Sequence, residues 1–273
     1  MNITDRQSVA RALTDTYTGG YAPDPWERVT EYQRVLEYTA DHPNKGSTAV
    51  ATALELPRGR IRPWMDSGAR PDPVRAIQTA EAHGWLDLDH GAAPFTGLNT
   101  LVAWIFSAGA VAKENYVPTF HVTPETRDCL ETTLALANVS DYRIEHTDDP
   151  SRATELRPTT DQTALGRLLV ALGAPLGEKN TAADIELPSY LAEAPETTRI
   201  TFAQTYVWNR ATDNPERENH PVQVMEDRSD TYRRELTAML DDLTGGEIRG
   251  GDWPLYLTPA AAATLDRPPQ HCG

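Results

Sequence analysis

LVAWIFSAGAVAKENYVPTF, residues 101–120, is an apolar helix that stops at a small-residue-plus-glycine pair, Ala108-Gly109, and runs into a strand. Its small residues Ala103, Ser107 and Ala108 let a second helix cross closely, while Leu101, Trp104 and Ile105 fill a core on either side. A second stretch of this kind, LPSYLAEAPETTRITFAQTYVWNRA, lies at residues 187–211. There Ala203 and Thr205 are the small residues, and Phe202, Tyr206 and Val207 the large ones.

Working outward, periodicity predicts a helix over 98–112, a strand over 116–122, a helix over 124–137, strands over 141–147 and 153–158, and a helix over 160–173. The order recurs: helix 196–210, strand 219–225, helix 228–243, strands near 246–250 and 253–258, and a short helix over 259–265. TPETRDCLETTLALANVSDYRIEHTDD and EDRSDTYRRELTAMLDDLTGGEIRGGD match in layout and hardly in identity, the signature of a duplicated α/β unit with two-fold pseudosymmetry.

LVAWIFSAGAVAKENY, together with LGRLLVALGAPLGEKN and the second helix at 196–210, resembles the LAGLIDADG homing endonucleases over about residues 98–265. The resemblance implies a saddle of strands over the major groove of DNA. It also implies an acid at the end of each signature helix, which holds the divalent metal whose bound water attacks the phosphodiester. Ala108 and Arg210 stand at those two positions. Two carboxylates are the minimum for Mg²⁺ in that geometry, so the resemblance implies a scaffold that has lost its nuclease chemistry. Glu114 and Asp213, a few residues beyond the helices, are the displaced acids that would restore it. The seven histidines show no ligand pair at helical spacing, and runs such as HTDDP and LDDL read as solvated surface; neither metal nor cofactor is expected.

The N-terminal part differs in charge. Residues 1–27 carry two basic and four acidic side chains, residues 28–75 eight and six, and residues 76–273 fifteen and thirty. A segment that stays positive in such a chain is a candidate polyanion contact, unless its arginines pair with Glu31, Glu37 or Asp66. VTEYQRVLEYTADH reads as an amphipathic helix ending near Pro43. NKGSTAVATALEL gives a helix over 47–54, started by Ser47 or Thr48 and packed through Ala49, Val50, Ala53 and Leu54. PRGRIRPWM gives a third helix, about 57–65, with Ile61, Trp64 and Met65 inward and Pro63 expected to bend or end it. Asp72 as N-cap and Gly84 past the end bound a fourth. The succession over residues 26–88 resembles the helix-turn-helix DNA-binding domains. That resemblance implies base or phosphate contacts by Arg58, Arg60 and Arg62, and backbone contacts by Lys45, Ser47 and Thr48.

The composition excludes several classes. No stretch reaches the roughly 18 apolar residues of a membrane span, and the N-terminus lacks the apolar core of a signal peptide. Cys129 and Cys272 are the only cysteines, without CxxC or a neighbouring histidine at ligand spacing, so neither a disulfide framework nor a zinc site is expected and a reducing cytoplasm fits. With 40 acidic residues, a net charge of −15 and only three lysines, the chain resembles proteins of extreme halophiles.

The expected fold is α+β: an N-terminal extension to residue 25, a helix-turn-helix domain over 26–88, a linker over 89–97, and a duplicated saddle over 98–273 with repeats at about 98–175 and 196–265. The expected function is sequence-specific binding of double-stranded DNA by a cytoplasmic regulator, without enzymatic activity. The contacts are those of the N-terminal domain plus Arg143, Arg157 and Arg249 on the strands. Two alternatives are a metal-dependent endonuclease using displaced acids, and a protein-binding or dimerisation scaffold. The net charge of −12 over residues 98–273 makes the second of these a serious one.

Overall fold

The computed structural model describes residues 5–17, 24–147, 149, 151–179, 185–212, 222–225, 228–249 and 254–272. Among them the chain is mixed α+β, with eleven α-helices and two small antiparallel sheets. Five helices come first: α1 Arg6–Asp15, α2 Pro25–Asp41, α3 Ser47–Leu54, α4 Arg58–Asp66 and α5 Asp72–Ala82. Local chemistry explains their starts. Asp5 and Ser8 form a reciprocal capping box on α1, and Asp24 caps α2 ahead of Pro25 at the first helical position.

α6, Ala93–Ala108, passes directly into β1, Gly109–Val111, followed by β2 Pro118–Val122, α7 Arg127–Leu136, β3 Tyr142–Glu145, β4 Thr154–Pro158 and α8 Gln162–Ala171. The helix expected to reach residue 112 stops four residues earlier because Gly109–Val111 pair with β2. After a 3-10 turn at Ser189–Ala192 come α9 Glu196–Arg210, β5 Ala211–Thr212, β6 Val222–Val224, α10 Asp230–Thr244, β7 Ile248–Arg249, β8 Leu255–Leu257 and α11 Pro259–Leu265. A second 3-10 turn, Gln270–Cys272, ends the described chain.

The two sheets have the same strand order, β1-β2-β4-β3 and β5-β6-β8-β7. Their registers also coincide step for step. Gly109 opposite Phe120 corresponds to Ala211 opposite Val224; Phe120 opposite Leu156 to Val224 opposite Leu255; and Tyr142 opposite Pro158 to Ile248 opposite Leu257. Burial dictates this register, since a one-residue slip would expose Phe120 and Leu156 in one sheet and Val224, Leu255 and Leu257 in the other.

α6 and α9, which run into β1 and β5, pack against each other in parallel. Asn99 donates to the Thr198 carbonyl at 3.1 Å toward their starts, and Asn209 donates to Ser107 Oγ at 3.2 Å at their ends. Ser107 and Asn209 each lie one residue before Ala108 and Arg210, so equivalent positions touch, as two-fold related helices require. Leu101, Ala103, Trp104, Ile105, Phe202, Ala203, Thr205, Tyr206 and Val207 are completely buried, matching the roles expected of the small and large residues.

The main core also takes in Val9, Ala10 and Leu13 of α1, Ala76 and Ala80 of α5, and Trp85. It is continuous across residues 89–97. Of the stretch read as a linker, residues 93–97 form the beginning of α6, whose first turn accommodates Pro94. α2, α3 and α4 instead share a small core of their own, Val35, Val50, Ala51 and Ile61.

Three local expectations need correction. Gly46, not Ser47, is the N-cap of α3; Ser47 is buried within the helix, whose packed face is Ser47, Val50 and Ala51, with Ala49 and Ala53 outside. α4 continues through Pro63 to Asp66, because Ile61, Trp64 and Met65 pack on α2 and α3 and outweigh one missing backbone hydrogen bond. Cys129 and Cys272 form a disulfide, S–S 2.01 Å. A separation of 143 residues hides this pairing from the sequence: the last turn folds back onto α7.

Candidate functional site

α3 ends in a left-handed residue, Glu55 (φ 56°), and Leu56 N–H closes the turn on the Ala51 carbonyl at 3.0 Å. Three residues, Glu55 to Pro57, therefore separate α3 from α4. Ile61 is wholly buried beneath the unit. Arg58, Lys45 and Thr48 are exposed on it, and neither the Arg58 nor the Lys45 side chain has a partner among the described residues.

The other arginines of α4 are committed. Arg60 Nη1 lies 2.6 Å from Glu31 Oε1, and Arg28 Nη1 takes the second Glu31 oxygen at 3.0 Å. Glu31 thereby braces α4 against α2. Arg62 Nε pairs with Asp66 at 3.2 Å, one turn on. Only Arg58 of the three presents an uncommitted guanidinium.

The strand arginines divide in the same way. On the outer face of the first sheet Arg143 stands opposite Arg157, and Glu145 opposite Glu155. Arg143 Nε meets Glu145 at 3.1 Å, while Arg157 Nε meets Glu145 at 3.2 Å and Glu155 at 3.1 Å. This face neutralises itself. In the second sheet the registered pairs set Thr212, Gln223, Tyr256 and Arg249 in one row across four strands. That row contains no carboxylate. Arg249, at the position equivalent to Arg143, is exposed and has no partner among the described residues.

Ala108 and Arg210 stand at the far ends of α6 and α9, where the resemblance places acids, and two further cations reach the last turn of α6. Lys179 Nζ donates to the Ile105 carbonyl at 2.9 Å and to that of Phe106 at 3.4 Å. Arg228, 8% exposed, donates to Phe106 O, with its guanidinium carbon 4.7 Å from the Tyr232 ring centre. Beside these ends a cleft of about 570 Å³ is lined by His121, Glu125, Trp208, Asn209 and Asp266. Burial lowers the basicity of His121; Glu155 opposes the shift, and Lys179 and Arg157 reinforce it.

Among the described residues, ligand atoms converge in threes at Cys129, His271 and Cys272, where the sulfurs are bonded to each other, and at Glu145, His146 and Glu155, whose carboxylates already hold arginines. Glu114 sits exposed in the turn after β1, and Asp213 lies outside the described residues. At the opposite end of the helix pair a second cavity, about 390 Å³, is lined by His90, Asn99, Thr198 and His271. Burial lowers the basicity of both histidines.

Sequence reasoning missed Lys179 and Arg228, whereas Glu31 and Asp66 were among the acids it offered as arginine partners. Lys179 follows LGE in a bridging segment, and Arg228 stands within the acidic run EDRSD, so each looks like solvated surface. No helix of the described chain is long and apolar enough to cross a membrane. No protein-family model matches the chain, and no curated protein is significantly similar to it.

Proposed function

We propose that the chain is a sequence-specific DNA-binding protein of the regulator kind, from a salt-adapted cell. In this reading α3 and α4 are the paired helices of a helix-turn-helix. Residues 98–265 are a homing-endonuclease-like scaffold in which Ala108 and Arg210 replace the acids, so the protein binds without cutting. The observation that carries the reading is the α3–α4 unit. It has its own small core, a three-residue turn, and an exposed, uncommitted Arg58 at the start of α4. The row Thr212, Gln223, Tyr256 and Arg249, itself without a carboxylate, adds donors, an aromatic ring and a cation, which suits a polyanion.

In molar salt the release of counterions contributes little, so affinity rests on directed contacts. Arg58 can donate two parallel hydrogen bonds to guanine or phosphate, a pairing worth roughly 1–3 kcal/mol. On a site selected from random DNA, Arg58→Ala is expected to weaken binding about tenfold or more. Arg127→Ala, which breaks only a helix-surface pair with Glu131, should leave affinity unchanged. Equal affinity for wild type and Arg58→Ala would remove the helix-turn-helix assignment. The self-neutralised first sheet favours a second reading for that face, contact with protein or a second copy. Sedimentation of the free chain and of its DNA complex separates the two.

A further inference from the structure

We propose that Cys129, His271 and Cys272 form a zinc site in the reduced chain, so that the turn Gln270–Cys272 is fastened to α7 by a metal ion wherever the disulfide is opened. Two elements bring the ligands together. Cys129 is buried on α7, and the 3-10 turn packs against that helix, carrying His271 and Cys272 with it. Both sulfurs and a ring nitrogen of His271 lie within 4.8 Å of one another. The hydroxyl of Thr133, one turn beyond Cys129, meets His271 Nε2 at 3.2 Å and holds the ring in place. Two thiolates and an imidazole are a soft donor set, which selects zinc over magnesium or calcium. Their two negative charges match those of the ion, so the buried Cys129 thiolate is compensated where it stands. His271 also lines the cavity of about 390 Å³ that it shares with His90, which leaves the fourth tetrahedral position to water.

Opening the Cys129–Cys272 bond takes a reductant, and a low-molecular-weight thiol is the class that fits. Two such thiols deliver two electrons and two protons to the bond and leave joined as their own disulfide. The two cysteine thiols then release those protons to solvent as zinc takes their sulfurs. Zinc at about 2.3 Å from each sulfur holds the pair roughly 3.8 Å apart. That parting asks for a small pivot of the three-residue turn, which the Cys272 N–H ties to the Pro269 carbonyl at 2.8 Å, and for no rearrangement of α7. The site is independent of the DNA-binding reading.

The test uses the full chain in 2 M KCl, which screens the acidic surface, with Co²⁺ as the spectroscopic stand-in for zinc. Chain reduced by a phosphine, then freed of it under argon, is expected to bind one Co²⁺ with the near-ultraviolet sulfur-to-cobalt band that carboxylates do not give. One equivalent of Zn²⁺ should abolish that band, and oxidised chain should never show it. Reduction alone should lower the melting temperature, and Zn²⁺ should recover most of the loss, since only a metal held by the folded state stabilises it. His271→Ala keeps both sulfurs; it should still form the disulfide, yet bind zinc about tenfold or more weakly once reduced. Reduced wild type that shows no sulfur-to-cobalt band, or that Zn²⁺ fails to stabilise, would overturn the proposal, as would His271→Ala binding zinc as tightly as wild type. Should the reduced chain unfold, Zn²⁺ is expected to refold it, read by far-ultraviolet circular dichroism; a chain that stays unfolded in Zn²⁺ refutes the site.

Discussion

Gly166 and Gly59 differ in what one added methyl group would meet. At Gly166 in α8 a Cβ would lie 1.7 Å from the backbone oxygen of Tyr116, whereas at Gly59 in α4 nothing lies within 4 Å. Backbone cannot swing away as a side-chain tip can, so Gly166→Ala is expected to cost about 3 kcal/mol. Gly59→Ala should gain roughly 0.5–1 kcal/mol from helix propensity. Urea midpoints of the two variants check both signs. A second residue-scale expectation concerns pH. Burial makes His90 and His271 less basic in the folded chain, so the unfolded chain takes up protons that the folded one refuses. Their contribution is complete above the free imidazole value of about 6.5 and is lost as the pH falls below it. Melting temperatures from pH 7.5 to 5 should decline, and His271→Gln should flatten part of the decline. An identical slope in that variant would refute the assignment.

Among the elements, the long helices at residues 98–265 are the most legible, whereas β1, three residues beginning at Gly109, is too short to show a strand period and reads as the end of α6. The repeated strand order reads through because layout survives where identity does not. Pairing is what the sequence conceals. Glu31 and Asp66 stand out in the sequence as possible partners, but only register and helix packing show that Arg60, Arg62, Arg143 and Arg157 each take a carboxylate while Arg58 and Arg249 have none among the described residues. The Cys129–Cys272 link is hidden likewise, since only the folded tail brings the two residues together. It anchors the last 3-10 turn to α7, and closing so long a loop restricts the unfolded chain. Cys272→Ser is expected to lower stability by about 2–4 kcal/mol, with unchanged far-ultraviolet circular dichroism. Equal denaturation midpoints for oxidised wild type and the variant would show that the link contributes nothing.

For the whole molecule, a charge of −15 in 273 residues is a standing repulsion. Its range is about 10 Å at 0.1 M salt and shrinks to about 3 Å at 1 M. The exposed ion pairs, Arg6–Glu81 and Arg75–Asp72 among them, weaken with salt but contribute little at any concentration. Relief of the net repulsion therefore wins, and the melting temperature should rise between 0.1 and 2 M KCl. A steady fall over that range would mean that local pairs, not global charge, govern stability.

The matched registers of the two sheets carry one more implication. A scaffold whose halves coincide offers a partner two equivalent ways to sit, related by half a turn, and a frame of this kind alone could not tell the two ends of an asymmetric target apart. This chain marks its halves differently: one face is a lattice of arginine and glutamate closed on itself, and the other is an open row ending in Arg249. The tie is broken by surface chemistry: two sheets alike in frame present unlike groups, so the two halves are not interchangeable.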